Sequence, residues 1–286
     1  MNIEMIADYA CETGENPLWH PDEKKLYWVD IPNGRMFRYD PQSGEHEPCY
    51  QGEVVGGFTV QQDGALLLFM ARGAVKTWRE GVLETIIPEI PGERDSRFND
   101  VIADPEGRVF CGTMSTDKRK GRLYRLDTNG ELNVVVEEVG TSNGLGFTLD
   151  RSKMYHTDTR TGRIYLYDYD RESGEISERR TFLQAPQESG GPDGMTVDSE
   201  GCVWVAFWGG SRIARYSRDG EELERIEFPA KKVSSVTFGG KDYGDLYVTT
   251  AGGDNKAEDG EGAGALFRVE GKIKGLPEFR SAIGQQ

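Results

Sequence analysis

Asp104-Pro105-Glu106-Gly107-Arg108-Val109-Phe110-Cys111-Gly112-Thr113 is a polar turn that runs straight into a strand-length apolar stretch, and the chain repeats that pattern along its length. Pro21-Asp22-Glu23-Lys24-Lys25 precedes Leu26-Tyr27-Trp28-Val29-Asp30, and Gln62-Asp63-Gly64 precedes Ala65 to Met70. Asp150-Arg151-Ser152-Lys153 precedes Met154-Tyr155-His156-Thr157-Asp158, and Asp198-Ser199-Glu200-Gly201-Cys202 precedes Val203-Trp204-Val205-Ala206-Phe207. Gly239 to Asp245 precedes Leu246-Tyr247-Val248-Thr249-Thr250. Most copies add a second run that alternates apolar and polar residues, as in Arg122-Leu123-Tyr124-Arg125-Leu126-Asp127 and Arg163-Ile164-Tyr165-Leu166-Tyr167-Asp168, the period of a half-buried strand. No stretch carries a sustained 3.6-residue apolar period, while 37 glycines and 12 prolines punctuate at strand-length intervals. The chain reads as all-β.

Anchored at residues 22, 63, 104, 150, 198 and about 240, the copies are 41 to 48 residues apart. That is the size of one four-stranded propeller blade, and closing such units in a ring leaves few exposed strand edges. The sequence therefore predicts a six-bladed β-propeller with four-stranded blades and a central metal site, a single domain over 1–286. A pair of β-sandwiches would not need six copies of one unit at a near-constant step. The N-terminal stretch from Ile3 to Tyr9 is expected to complete the blade formed after Ser235.

Composition narrows the function. The formal net charge of −15 argues against a phosphate backbone or an anionic membrane as partner. The most apolar run, Ala65 to Met70, is far shorter than the roughly 20 residues of a membrane span. A small molecule is the expected partner, with no nucleic acid, membrane or protein partner inferred. Acidic residues early in the chain, where a secretory leader carries Lys or Arg, give a cytoplasmic expectation. Cys11, Cys49, Cys111 and Cys202 are widely spaced and read as reduced structural thiols.

In a propeller the innermost strands run around the central channel, so the residues just before each one gather at one end of the axis. Those positions hold Gly14-Glu15-Asn16-Pro17, Val55-Gly56-Gly57-Phe58, Arg97-Phe98-Asn99-Asp100, Ser142-Asn143-Gly144, Gly191-Pro192-Asp193-Gly194 and Ser234-Ser235. Glu15, Asn99, Asn143 and Asp193 are oxygen donors. Two carboxylates brought together raise one another's pKa, and a divalent cation resolves the conflict. An all-oxygen donor set favours Ca²⁺, or otherwise Mg²⁺ or Mn²⁺, with zinc also possible. Asn-Gly and Asp-Gly are also ordinary turn dipeptides, chosen for positive φ. Their recurrence at one blade-equivalent position favours a site.

These motifs, together with Leu18-Trp19, Leu145, Met195, Ala206-Phe207-Trp208-Gly209-Gly210, Gly264-Ala265-Leu266-Phe267-Arg268-Val269 and Gly275-Leu276-Pro277, resemble the SMP-30/gluconolactonase/regucalcin-like family of sugar-lactone hydrolases over nearly the whole chain. The resemblance implies a six-bladed propeller with one divalent metal held by Glu15, Asn143 and Asp193, Asn99 beside the metal and Arg97 contacting substrate. Gly56-Gly57 offers no ligand. Asp100 is expected to cap its turn, with support of the metal ligands from behind as its sharper alternative. His156 is expected to be a strand residue, Trp19 and Trp208 to be core, with lining of the mouth as the alternative, and His20 and His46 to be exposed turn residues. The 252–264 segment reads as a surface loop or a lid; it lacks the Lys-Ser/Thr and helix of a phosphate loop.

The expected activity is metal-dependent hydrolysis of sugar (aldono-) lactones. The cation acts as Lewis acid, Asp193 is the base and Arg97 and Asn99 orient the substrate. The choice of Asp193 over Glu15 leans on the resemblance; the residues alone leave both open. No G-x-S-x-G nucleophile competes. A phosphotriesterase or esterase on the same site, and a non-catalytic calcium-binding propeller scaffold, are the alternatives.

Overall fold

The computed structural model describes residues 2–285. Strand β1 (Ile3–Asp8) comes first, and sixteen strands then make four separate antiparallel sheets of four. They are β2 to β5 (Gly14–His20, Lys25–Asp30, Arg35–Asp40, Glu45–Gln51) and β6 to β9 (Val55–Val60, Leu66–Met70, Val75–Arg79, Val82–Ile87). Next come β10 to β13 (Phe98–Ala103, Val109–Thr113, Gly121–Leu126, Leu132–Val139) and β14 to β17 (Ser142–Phe147, Lys153–Asp158, Arg163–Tyr169, Ile176–Gln184). The last seven are β18 (Gly191–Val197), β19 (Val203–Trp208), β20 (Arg212–Tyr216), β21 (Glu222–Glu227), β22 (Lys232–Gly239), β23 (Asp245–Ala251) and β24 (Ala265–Glu270). With β1 they form one eight-stranded sheet.

The molecule is an all-β propeller with four-stranded blades. Six separate sheets were the expectation, and four stand alone while the last eight strands are continuous. The join is a single pairing, Trp208 at the end of β19 with Lys232 at the start of β22. Lys232 Nζ also lies 5.7 Å from the centre of the Trp208 ring, a cation–π contact that draws the two strands together. On either side of this pairing, β18 to β21 and β22 to β24 with β1 keep the ladders of two four-stranded sets. The N-terminal strand pairs with β24 from Ile3↔Val269 to Asp8↔Ala265, so both ends of the sequence contribute to one sheet.

The first strands of successive sets, β2, β6, β10, β14, β18 and β22, each pack against the next, and β22 packs back on β2. Apolar residues fill the space between neighbouring sheets. Phe69, Phe98 and Tyr124 meet edge to face, and Trp28, Phe37 and Tyr247 lie between the first sheet and the last strands. Trp19 is buried as expected, parallel to Tyr247 at 6.3 Å, whereas Trp208 stays partly exposed under Lys232. The four cysteines are free thiols, and burial pushes Cys11 and Cys49 up to about 12. His20 departs from its expected exposed turn: it is buried at the end of β2, with Nε2 3.0 Å from the Gly64 carbonyl. His46 is exposed, as expected. The 252–264 segment holds one helical turn (Lys256–Asp259) and is pinned by Lys232 to the buried Asp259 at 2.7 Å and by Cys11 N–H to the Gly264 carbonyl at 3.0 Å. No helix among the described residues is long and apolar enough to cross a membrane.

No repeat or apolar period marks the segment beyond β24. Residues 271–285 cross the end of the axis that carries the β2–β3, β6–β7 and equivalent turns. Ser199 N–H donates to Lys274 and Gly275 N–H to Tyr243. Arg151 sits over the Phe279 ring at 5.1 Å, and Arg280 grips Asp22. Ser281 N–H donates to Val60, Ala282 N–H to Gly107 and Gly284 N–H to Thr128. Every sheet is touched by this strap. Behind it lies a cavity of about 70 Å³, lined from Asn16 and Asp100 at one end to Glu278 and Arg280 at the other. It has room for about two waters.

Glu278 accepts from Thr196 Oγ1 at 3.3 Å, and its enclosure by protein pushes its carboxyl up to about 7 from 4.5. A raised carboxyl favours the unfolded chain once ionised, so stability is lost as pH rises from about 4.5 to 7 and stays lost above. Glu278→Gln is therefore expected to melt higher than the parent at pH 8, with the gain shrinking toward pH 5. An equal gain at both pH values would contradict this origin.

Candidate functional site

Each first strand carries a register irregularity at the same place. The breaks fall between Glu15 and Leu18, Val55 and Gly57, Phe98 and Val101, Asn143 and Leu145, Pro192 and Met195, and Val233 and Ser235. A bulge turns side chains out of strict alternation and re-aims them, which is why bulges collect beside sites. Glu15, Asn99, Asn143 and Asp193, expected just ahead of the inner strands, lie within them, at or inside these breaks, and Arg97 directly precedes β10. Gly144 and Gly194 lie in β14 and β18 without positive φ, so they are not turn glycines. They permit close approach: a Cβ on Gly144 would stand 2.4 Å from the Asp193 carbonyl oxygen, and one on Gly194 2.1 Å from Ser235 Oγ.

The axis end gathers Glu15, Asp100, Asn99, Asn143 and Asp193, all under 9% exposed. Asn16, held at φ +48, stitches β2 to β6 by accepting from Phe58 N–H at 2.8 Å, and its own N–H donates to Glu15 Oε2 at 3.1 Å. Arg97 Nη1 donates to Asn99 Oδ1 at 2.6 Å. Asn99 Nδ2 donates to the Ser142 carbonyl at 2.8 Å and to Asn143 Oδ1 at 2.5 Å. Asn143 Nδ2 donates to Thr159 Oγ1 at 2.7 Å, and Thr159 Oγ1 donates to the Pro192 carbonyl at 2.7 Å.

Three carboxyls face one cation. Burial pushes Asp193 well above its ordinary range, the charges of Glu15 and Asp100 add to this, and Arg97 opposes it. Glu15 is raised by burial and then by Asp100, again against Arg97. Burial takes Asp100 up to about 7. Arg97 is itself lowered by burial, with the three carboxyls holding its charge. Asp193 Oδ1 is buried without a hydrogen-bond partner, an uncommon and costly state.

Glu15, Asn143 and Asp193 would supply two carboxylates and an amide oxygen, a hard-cation donor set that the excess negative charge and the unpartnered Asp193 oxygen fit. The set is mixed: no group of three or more His, Cys, Asp or Glu arranged for a metal occurs among the described residues. Asp100 is a strand carboxylate of the cluster and not a turn cap, so of its two expected roles the one at the site is nearer; its place next to Asn99 in the sequence was the available signal. Thr159 was missed altogether. His156 is a buried strand residue as expected, its Nε2 2.8 Å from Ser142 Oγ.

Fold and site together define a propeller with a buried, carboxylate-rich polar centre at one end of its axis. Residues 13–252 match the family model described as the SMP-30/Gluconolactonase/LRE-like region. The chain belongs to this family. It is 49% identical to the pentonolactonase XacC of Haloferax volcanii, over 99% of each chain. It is 36% identical to a 6-deoxy-6-sulfogluconolactonase of Pseudomonas putida, over 96% of this chain and 97% of that one. A solved luciferin-regenerating enzyme superposes with a TM-score of 0.89 at 30% identity, covering 98% of this chain and 99% of the other.

Proposed function

We propose that the chain is a divalent-cation-dependent lactonase that opens sugar (aldono-) lactones to the corresponding sugar acids. The observation carrying this reading is the cluster of three buried carboxyls around one arginine, with an Asp193 oxygen left free. The names of relatives at 49% and 36% identity support lactones as the substrate class and make five-carbon aldonolactones the first to test. We also read the eight-stranded sheet as two blades, so that six inner strands surround the site.

Glu15, Asn143 and Asp193 would hold the cation. Ca²⁺ is favoured, and Mg²⁺, Mn²⁺ or Zn²⁺ remain compatible with oxygen donors. When bound, the cation supplies Lewis acidity toward a carbonyl oxygen and lowers the pKa of water. Asp193 takes the proton of the attacking water through a carboxylate oxygen and returns it as the ring oxygen leaves. Arg97 and Asn99 orient the sugar hydroxyls, Arg97 through donors not used on Asn99. The walls of the buried centre exclude bulk water around the reacting ester, which strengthens each of these contacts.

Acid release from pentono- and gluconolactones, followed in a pH-stat, is expected to vanish in EDTA and return with added Ca²⁺ or Mn²⁺. Full activity in EDTA would reject the cation. Inert lactones alongside a cleaved phosphotriester would move the reading to that electrophile, and cation binding without turnover on either would leave a binding scaffold.

A further inference from the structure

The polar contacts of the site form a single directed chain. It begins at Arg97, whose guanidinium can only donate, and runs through Asn99, Asn143 and Thr159 to the Pro192 carbonyl, which can only accept. Thr159 has one hydroxyl proton. Because that proton goes to Pro192, the oxygen presents only lone pairs to Asn143, and the amide must offer Nδ2 there. Exchanging Oδ1 and Nδ2 of Asn143 would break two contacts together. Asn99 Nδ2 would face another NH₂, and Thr159 would have to abandon Pro192 or leave the amide oxygen without a donor. Thr159 is itself fixed, its N–H donating to the Thr141 carbonyl at 3.1 Å and its methyl set against Gly191.

We infer that Thr159 is a positioning residue, its hydroxyl locking the Asn143 carboxamide in the one orientation that leaves Oδ1 on the Asn99 side and tying that orientation to the backbone that carries Asp193. The inference rests on the reading of Asn143 as a cation ligand. Removing a group that orients a ligand from behind typically costs about 10- to 100-fold in metal affinity, because a freely rotating amide presents its NH₂ to the cation part of the time.

The test is calorimetric titration of the parent, Thr159→Val and Thr159→Ser with Ca²⁺ and with Mn²⁺ alone, and no lactone. Valine keeps the shape and removes both hydrogen bonds, and serine restores them. Thr159→Val is expected to bind roughly 10- to 100-fold more weakly, and Thr159→Ser within about threefold of the parent. In lactone hydrolysis the valine variant is expected to require more added cation for half-maximal rate, with KM for lactone little changed. Equal cation affinity in the parent and Thr159→Val overturns the inference while leaving the cation reading intact. A parent that binds neither cation overturns the cation reading itself, and this inference with it. If Thr159→Val and Thr159→Ala both fail to fold while Thr159→Ser folds, the two hydrogen bonds serve stability and the positioning role is rejected.

Discussion

Asp193→Asn is expected to slow lactone opening by roughly 10²- to 10⁴-fold, the usual worth of a placed proton acceptor, and in the same protein to raise the melting temperature measured in EDTA. The two effects have opposite signs for one reason. Asp193 is buried beside Glu15 and Asp100 with only Arg97 to offset them, so its folded-state pKa lies above its unfolded value. A carboxyl raised in this way costs stability at every pH above its unfolded range, and the neutral amide removes that cost. The amide also relieves Glu15 and Asp100 of a neighbouring charge. It cannot accept the proton of an attacking water. The gain in melting temperature is expected to be large at pH 8 and to shrink as the pH falls toward 4, where the parent carboxyls are protonated as well. Turnover near that of the parent would refute Asp193 as the base. A lower melting temperature in EDTA would refute the account of the cluster as a store of repulsion released by a cation.

The second large effect is expected at the other end of the axis. Removing residues 272–286 should lower the unfolding free energy by several kcal/mol, a large part of the roughly 5–15 kcal/mol that holds a typical domain together. The strap donates backbone hydrogen bonds to Val60, Gly107 and Thr128, and accepts them from Gln62 and Ser199. Gln61 is bound at both ends of its amide by Ile283. Of these partners Val60, Gln61 and Gly107 are buried and Gln62, Thr128 and Ser199 exposed; truncation would leave the buried ones without partners, each costing about 1–3 kcal/mol unless water reaches it. It would also expose the apolar surfaces that Ile283 and the ring of Phe279 cover. A truncated chain with a urea midpoint matching the full chain would show that the strap only rests on the ring. Loss of soluble protein, or proteolysis at rates far above the full chain, is the expected extreme.

The parts of this molecule that were legible in the sequence are those written locally. A polar turn followed by a β-branched and aromatic run needs no distant partner to be recognised, and its recurrence located the second strand of every set, β3, β7, β11, β15, β19 and β23. The same alignment brought Glu15, Asn99, Asn143 and Asp193 to one place, because blade-equivalent positions share a height on the axis. What was not legible depends on single long-range contacts. The fusion of the last sheets rests on Trp208 and Lys232 alone. The strap has no apolar period, and its anchor joins Arg280 to Asp22 across 258 residues. Asn-Asp is spelled like a turn, and only the bulge after Phe98 brings the Asp100 carboxyl into the cluster. The turn reading of Gly144 and Gly194 rests on φ, whereas their constraint is close approach, of the Asp193 carbonyl to Gly144 and of Ser235 to Gly194.

The close backbone approaches also divide the axis into open and closed sectors. A Cβ on Gly56 would stand 2.0 Å from the Phe98 carbonyl oxygen, so no side chain of any kind can be added to β6 at that height without moving two strands. Ser234 and Ser235 already hold side chains on β22, and Ser234 is committed to Gly14 and Thr249. A lineage built on this ring can therefore exchange oxygen donors one strand at a time on β2, β10, β14 and β18, while β6 and β22, the two neighbours of β2, stay mute. Its chemistry is free to drift by point substitution, but only on those four strands.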